Sequence, residues 1–241
     1  VTLEAEGSEN SVRELLRRVT QDAPFPARVE DSDWEPVDLQ NETSFRILPS
    51  TSGGAREATL LADLAPCANC IAELDTPGDR RHGYPFTNCT HCGPRFTIIL
   101  DLPYDRPNTT LQKFVQCPLC QAEYDDPGNR RFHAQPNACP HCGPSVRLLD
   151  PEGQVVTERE AALAATVALL QAGGIVAVQG VGGFQILVDA TRQDSVARLR
   201  ERKHRWENPL AVKVPNLAWV ERLVALDDTE RAVLAGPPAP L

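Results

Sequence analysis

Cys67-Ala-Asn-Cys70 and Cys89-Thr-His-Cys92-Gly-Pro94 recur 50 positions later as Cys117-Pro-Leu-Cys120 and Cys139-Pro-His-Cys142-Gly-Pro144. In both copies 18 residues separate the two cysteine pairs. A Cys-x2-Cys turn puts two sulfurs on one side of a tight loop, and two such turns complete a tetrahedron around Zn2+ with Zn–S distances of about 2.3 Å. The chain therefore reads as a duplicated four-thiolate site. One Zn2+ is held by Cys67, Cys70, Cys89 and Cys92, and a second by Cys117, Cys120, Cys139 and Cys142.

The duplication runs past the ligands. Glu73-Leu-Asp-x-Pro77-Gly-x-Arg80-Arg81 matches Glu123-Tyr-Asp-x-Pro127-Gly-x-Arg130-Arg131, which reads as a helical turn, a Pro-Gly break and a basic return strand. Repetition of a whole unit favours one metal per copy over a site shared between copies. Gly93 and Gly143 follow the last cysteine of each copy, where a positive φ would turn backbone amides toward the sulfurs. Three other readings stay open. Disulfides would need an oxidising compartment, thiolate softness also admits iron, and His91 or His141 could take the place of a cysteine.

The 241 residues contain 21 prolines and few aromatics, which favours several small modules over one large core. Metals then substitute for core burial in the middle third. A formal charge of −9 argues against non-specific binding of nucleic acid. No apolar stretch has the length of a membrane span, nothing at the N-terminus has the order of an export signal, and the cytoplasm is the expected location. The chain starts at Val1 and holds no methionine, so it is expected to be a piece of something larger.

Val1, Leu3 and Ala5 alternate as in a half-buried strand, and Ser8 is placed to cap a helix carrying Val12, Leu15, Leu16 and Val19. Short strands are expected at Ala27 to Val29 and Phe45 to Leu48, giving a β-α-β-β remnant. Pro49 to Leu64 reads as a linker, and Phe96 to Leu102 as an apolar strand between the metal modules. A boundary is expected near Asp150 to Gly153. Beyond it come a helix from Glu158 to Leu170 stopped by Gly173-Gly174, a strand at Ile175 to Val178, a loop at Gly180 to Gly183, a strand at Ile186 to Val188, a basic helix from Ser195 to Arg205 and a strand at Leu210 to Val214. That order opens an α/β domain.

With these features the chain resembles the HypF carbamoyltransferases that mature [NiFe] hydrogenases. The resemblance rests on the duplicated cysteine unit, Asp101-Leu-Pro-Tyr-Asp-Arg-Pro-Asn-Thr-Thr110, Arg130-Arg-Phe-His-Ala-Gln-Pro-Asn-Ala-Cys139, and Gly180-Val-Gly-Gly-Phe184 followed by Arg198 to Val214. It implies an α+β multi-module fold. Residues 1–50 would be the C-terminal part of a ferredoxin-like (acylphosphatase-like) domain, 64–97 and 114–147 the two four-cysteine zinc modules, and 158–241 the start of an α/β YrdC-like domain. It also implies carbamoyl phosphate and ATP as substrates, carbamoyl adenylate as intermediate, and a HypE-type maturation partner whose cysteine receives the carbamoyl group. The acylphosphatase phosphate loop is expected before Val1. Val178 to Phe184 mimics that loop, but Gln185 stands where its arginine would be.

From charge alone, Lys203 and Arg205 read as a solvated helix end complementing the macrodipole. The resemblance instead assigns them to nucleotide phosphates, held by a point charge and a planar fork. The chain departs from the usual family residues at Gln185, Asn208 and Lys213. The competing reading is a zinc scaffold that grips protein or RNA without chemistry of its own. The Cys-x2-Cys-x-Gly-x-Gly pattern of chaperone-type repeats is absent, and RNA binding would weaken steeply with salt.

Overall fold

The computed structural model describes residues 2–27, 29–48, 62–180 and 183–236, which fall into two compact units divided at Arg56 and Glu57. Most of the expected linker, the middle of the Gly180 to Gly183 loop, Val1 and Arg28 lie outside the described residues.

In the first unit one helix forms, α1 (Glu9–Gln21), where the apolar period predicts it. Ser8 caps it, its Oγ accepting from the Ser11 amide at 3.3 Å. None of its residues is buried. The strands expected at Val1 to Ala5, Ala27 to Val29 and Phe45 to Leu48 are not formed among the described residues. A strand exists only as part of a ladder, and no described residue of this unit supplies one. The extended stretch after α1 is tied back instead by the Glu6 carboxylate, which accepts from the amides of Gln40, Asn41 (3.1 Å) and Glu42 (3.2 Å). Asn41 at φ 59° turns those amides to one side, making a small anion nest.

The second unit carries the paired cysteine copies and the α/β segment. The knuckles lead into two short helices, α2 (Ala68–Asp75) and α3 (Pro118–Asp125). The basic segments after the Pro-Gly breaks are turns rather than strands, folded so that the Gly83 amide reaches Leu74 O (2.9 Å) and the His133 amide reaches Tyr124 O (3.0 Å). Phe96 begins a 3-10 turn (Phe96–Ile98) in place of the expected strand, with Ile99 bridging Thr109. The backbone entering that turn is held by Asp63, which accepts from the Arg95 and Thr97 amides and the Thr97 hydroxyl.

Asp150 to Gly153 forms the tip of a hairpin between β1 (Arg147–Leu149) and β2 (Val155–Glu158). The helix α4 (Arg159–Gln171) packs on this hairpin and ends as expected at Gly173, whose φ is +90°. A second antiparallel hairpin, β3 (Val176–Gly180) with β4 (Gly183–Leu187), precedes α5 (Gln193–Lys203). Buried Ser195 ties α5 to the end of α4, donating to Gly173 O at 3.1 Å. Leu210 to Val214 forms no strand. Two short helices follow, α6 (Leu217–Val220) and α7 (Asp228–Leu234), the latter with a capping box between Asp227 and Glu230. Among the described residues no helix is long and apolar enough to cross a membrane.

Burial concentrates around the cysteines. Tyr84, Ile98, Leu111, Ala134 and Ala138 are buried there together with Arg81, Arg95, Thr109, Arg131 and Asn137. A core this polar must satisfy every donor it encloses.

Candidate metal centre

Each copy gathers its four sulfurs into one cluster whose members all lie within 4.8 Å of one another. Cys67 and Cys117 are the N-caps of α2 and α3, and Cys70 and Cys120 lie in the first turns. The positive helix ends thus face the sulfurs and favour thiolate. The second knuckles close through the Cys92 amide to Cys89 O (3.3 Å) and the Cys142 amide to Cys139 O (3.1 Å).

A tetrahedron with metal–sulfur bonds of about 2.3 Å has sulfur–sulfur edges of about 3.8 Å. In the first cluster the edges Cys67–Cys89, Cys89–Cys92 and Cys70–Cys92 are 3.7, 3.8 and 3.5 Å. In the second, Cys117–Cys139, Cys139–Cys142 and Cys120–Cys142 are 3.8, 3.7 and 3.7 Å. A disulfide would bring two sulfurs to about 2.05 Å, and all eight cysteines are free. His91 and His141 are exposed, and among the described residues they belong to neither cluster.

The donor chemistry also calls for a cation. Hydrogen bonds from Cys70 and Cys92 hold Cys89 far below the usual thiol range, while Cys89 and Cys92 drive Cys70 far above it. Burial raises the Cys139 thiol, yet the His141 and Cys142 amides with Arg80 bring it to about 6. A cation at the centre of four sulfurs this close would let all of them ionise.

Around the sulfurs lies an arrangement that the repeat carries but the linear reading misses. The Arg-Arg pair of each copy serves the other copy. Arg80 donates to Cys120 Sγ (3.0 Å) and pairs with Glu123 (3.0 Å); Arg130 donates to Cys70 Sγ (3.1 Å) and pairs with Glu73 (2.6 Å). Arg81 Nε donates to Ala138 O and Arg131 Nε to Asn88 O, both at 3.0 Å. The Arg81 fork grips Glu123 (2.9 and 2.6 Å), and that of Arg131 grips Glu73. Every partner is shifted by 50 positions, so the two copies embrace about a local pseudo-twofold axis. Burial opposes the charge on Glu123, but Arg81 beside it, with Arg131 and Arg80, holds its carboxyl below the ordinary range; Glu73 is held down likewise by Arg131 and Arg130 against its own burial.

The glycines after the knuckles act differently from the expectation. Gly93 has φ +93°, but its amide goes to Leu64 O (2.9 Å), and the sulfur contact is made by the His91 amide on Cys89 (3.4 Å). Gly143 lacks a positive φ, and its amide goes to Cys139 O (2.9 Å). A Cβ at Gly143 would collide with the Tyr84 hydroxyl and lie 2.5 Å from Ala138 Cβ, so this glycine admits the first copy against the second. Where the motif gives the second copy Asn137, its buried amide donates to Cys120 O (2.9 Å) and accepts from Arg81 (3.0 Å). Arg106 of the intervening motif donates to Gln135 O (2.6 Å), Asn137 O (2.9 Å) and Phe114 O (2.7 Å), pinning the second knuckle from outside.

Lys203 and Arg205 do not converge in the same way. Lys203 is the last residue of α5, His204 takes a left-handed turn at φ 51°, and both basic side chains are exposed. The loop that follows is held by Arg200, which donates to the carbonyls of Arg205 (3.1 Å), Trp206 (3.2 Å) and Asn208 (2.8 Å).

Comparison with known proteins places this geometry. The family model described as HypF finger matches residues 67–99 and 117–149. The YrdC-type model described as Telomere recombination matches 168–241. Carbamoyltransferase HypF of Synechocystis sp. is 48% identical over 97% of the chain and 30% of its own length. A solved full-length HypF in a phosphate- and nucleotide-bound form superposes with a TM-score of 0.84 at 35% identity, covering 95% of this chain and 30% of that one. The HypF of T. kodakarensis gives 0.87 at 36% identity, covering 98% and 30%.

Proposed function

The chain belongs to the HypF family, of whose members it spans about 30% of the length, and from that premise we propose that it forms the metal-braced middle of an ATP-dependent carbamoyltransferase. The observation that carries the reading is the pair of closed four-sulfur clusters, each coinciding with a HypF finger match.

Each cluster holds one Zn2+ in this reading, through Cys67, Cys70, Cys89 and Cys92 and through Cys117, Cys120, Cys139 and Cys142. Four sulfurs leave no open position for water or substrate, so the ion supplies folding energy rather than a Lewis acid. Residues 64–97 and 114–147 are the modules, residues 1–50 belong to an acylphosphatase-like domain, and 158–241 belong to a YrdC-like domain. The chemistry draws on the whole enzyme: carbamoyl phosphate loses phosphate, the carbamate reacts with ATP to give carbamoyl adenylate and pyrophosphate, and the carbamoyl group passes to the C-terminal cysteine of a HypE-type partner with loss of AMP, for cyanide ligand synthesis. A cytoplasmic setting fits eight reduced cysteines.

Lys203 and Arg205 are proposed to meet nucleotide phosphates once the remaining length of the enzyme closes over α5. The solved relative in a nucleotide-bound form supports a nucleotide site in the family. In the whole enzyme, Lys203→Ala is expected to weaken ATP binding by about 1–3 kcal/mol, the loss of a charge-assisted contact. Calorimetry is the test. Equal ATP affinity for variant and parent would reduce the pair to a solvated helix end.

A further inference from the structure

The spacer of each copy has two attachments. Its ends are the knuckles of its own cluster, and its middle delivers Arg80 or Arg130 to the sulfurs of the other cluster. Arg80 reaches Cys120 at 3.0 Å and Cys117 at 3.7 Å; Arg130 reaches Cys70 at 3.1 Å and Cys67 at 3.9 Å. A four-thiolate zinc centre carries two net negative charges, and a guanidinium donor against its sulfurs lowers the cost of holding them in a partly buried place.

We propose that the two metal sites load as a coupled pair, and that Arg80 and Arg130 carry the coupling. Closing the first site fixes residues 71–88 between two anchored knuckles, which presents Arg80 to the thiolates of the second. Closing the second site fixes residues 121–138 and presents Arg130 to the first. Emptying either site frees the spacer that bears the other site's donor. By linkage the effect is reciprocal: each ion raises the affinity of the other by one common factor, typically about 5–150-fold for coupled sites. The Thr90 side chain and amide, both donating to Arg130 O (3.0 and 3.2 Å), add a backbone contact that holds Arg130 at the first site's second knuckle.

The inference rests on the two-zinc reading, and one experiment separates the two. Native mass spectrometry of the 241-residue chain, equilibrated in chelator-buffered Zn2+, counts chains with no, one and two ions. Independent sites, equal or unequal, put half or more of the chains in the one-ion state at half saturation. Between sites of equal affinity a tenfold coupling lowers that share to about a quarter, and between unequal sites it lowers the share from its higher uncoupled value. Arg80→Gln and Arg130→Gln, singly and together, are expected to raise it toward the uncoupled value while excess zinc still fills both sites. A parent share of half or more that the arginine variants leave unchanged overturns the coupling. Undiminished depletion in the arginine variants overturns their role as carriers. A parent chain that never reaches two ions sinks the zinc reading and the coupling with it.

Discussion

Cys89→Ala is expected to release zinc from the first module and unfold residues 67–95. Structural zinc contributes an apparent 10–16 kcal/mol or so to small four-ligand modules near neutral pH, comparable to the entire stability of an ordinary domain at about 5–15 kcal/mol. Apart from its contacts with the second copy, the first module has little else. Its apolar core is chiefly Cys70, Cys89 and Cys92 themselves, with Cys67 packed against them. Unfolding would also withdraw Arg80 and Arg81 from Glu123, leaving a largely buried carboxylate without its main partners. Limited trypsin digestion with fragment mapping reads the effect: new cleavage at Arg80 and Arg81 is the expected result. Unchanged resistance between Ala68 and Arg95 would show that zinc does not hold this module.

The second large effect lies with the crossing arginines. Arg81 and Arg131 are 1% and 3% exposed, and each ends on a glutamate and a main-chain carbonyl of the opposite copy. Breaking such a buried pair costs about 3–5 kcal/mol, and because each glutamate keeps its second arginine, Arg80 or Arg130, the loss is expected at the lower end, about 3 kcal/mol. Arg81→Ala and Arg131→Ala should each lose that much in urea unfolding at saturating zinc. Arg13→Ala breaks an exposed pair with Glu9 and should stay within about 1 kcal/mol. A loss below about 1 kcal/mol for Arg81→Ala would mean that the two copies do not lean on each other.

What the sequence makes legible follows the range of each interaction. The two four-cysteine clusters are readable because thiolate chemistry and turn geometry confine them to Cys-x2-Cys pairs. The helices α1, α4 and α5 are readable because their caps, glycine stops and apolar periods are local; Ser8 and Gly173 stand where the pattern puts them. The strands expected at Val1 to Ala5, Phe45 to Leu48 and Leu210 to Val214 show the opposite case. Alternation permits a strand, but only a partner makes one, and the partner is a non-local fact. The Arg-Arg pairs are visible in both copies, but local pattern alone makes them return strands. The repeated Glu73 and Glu123, each three residues after a ligand, are the available signal: a duplicated carboxylate beside a thiolate needs a duplicated cation. Which copy supplies it depends on how the copies face each other, and no spacing within one copy encodes that. Lys203 and Arg205 are exposed at the end of α5, a placement that local charge pattern describes as well as the proposed nucleotide contact does.

The central claim is that each copy closes its own four-sulfur metal site. Zinc X-ray absorption on the purified chain, combined with elemental analysis, tests it most directly. The account predicts two Zn2+ per chain, each with four sulfurs at about 2.3 Å and no nitrogen or oxygen bound to the metal. Fewer than two ions, or a metal bound by histidine nitrogen or water oxygen, would contradict it.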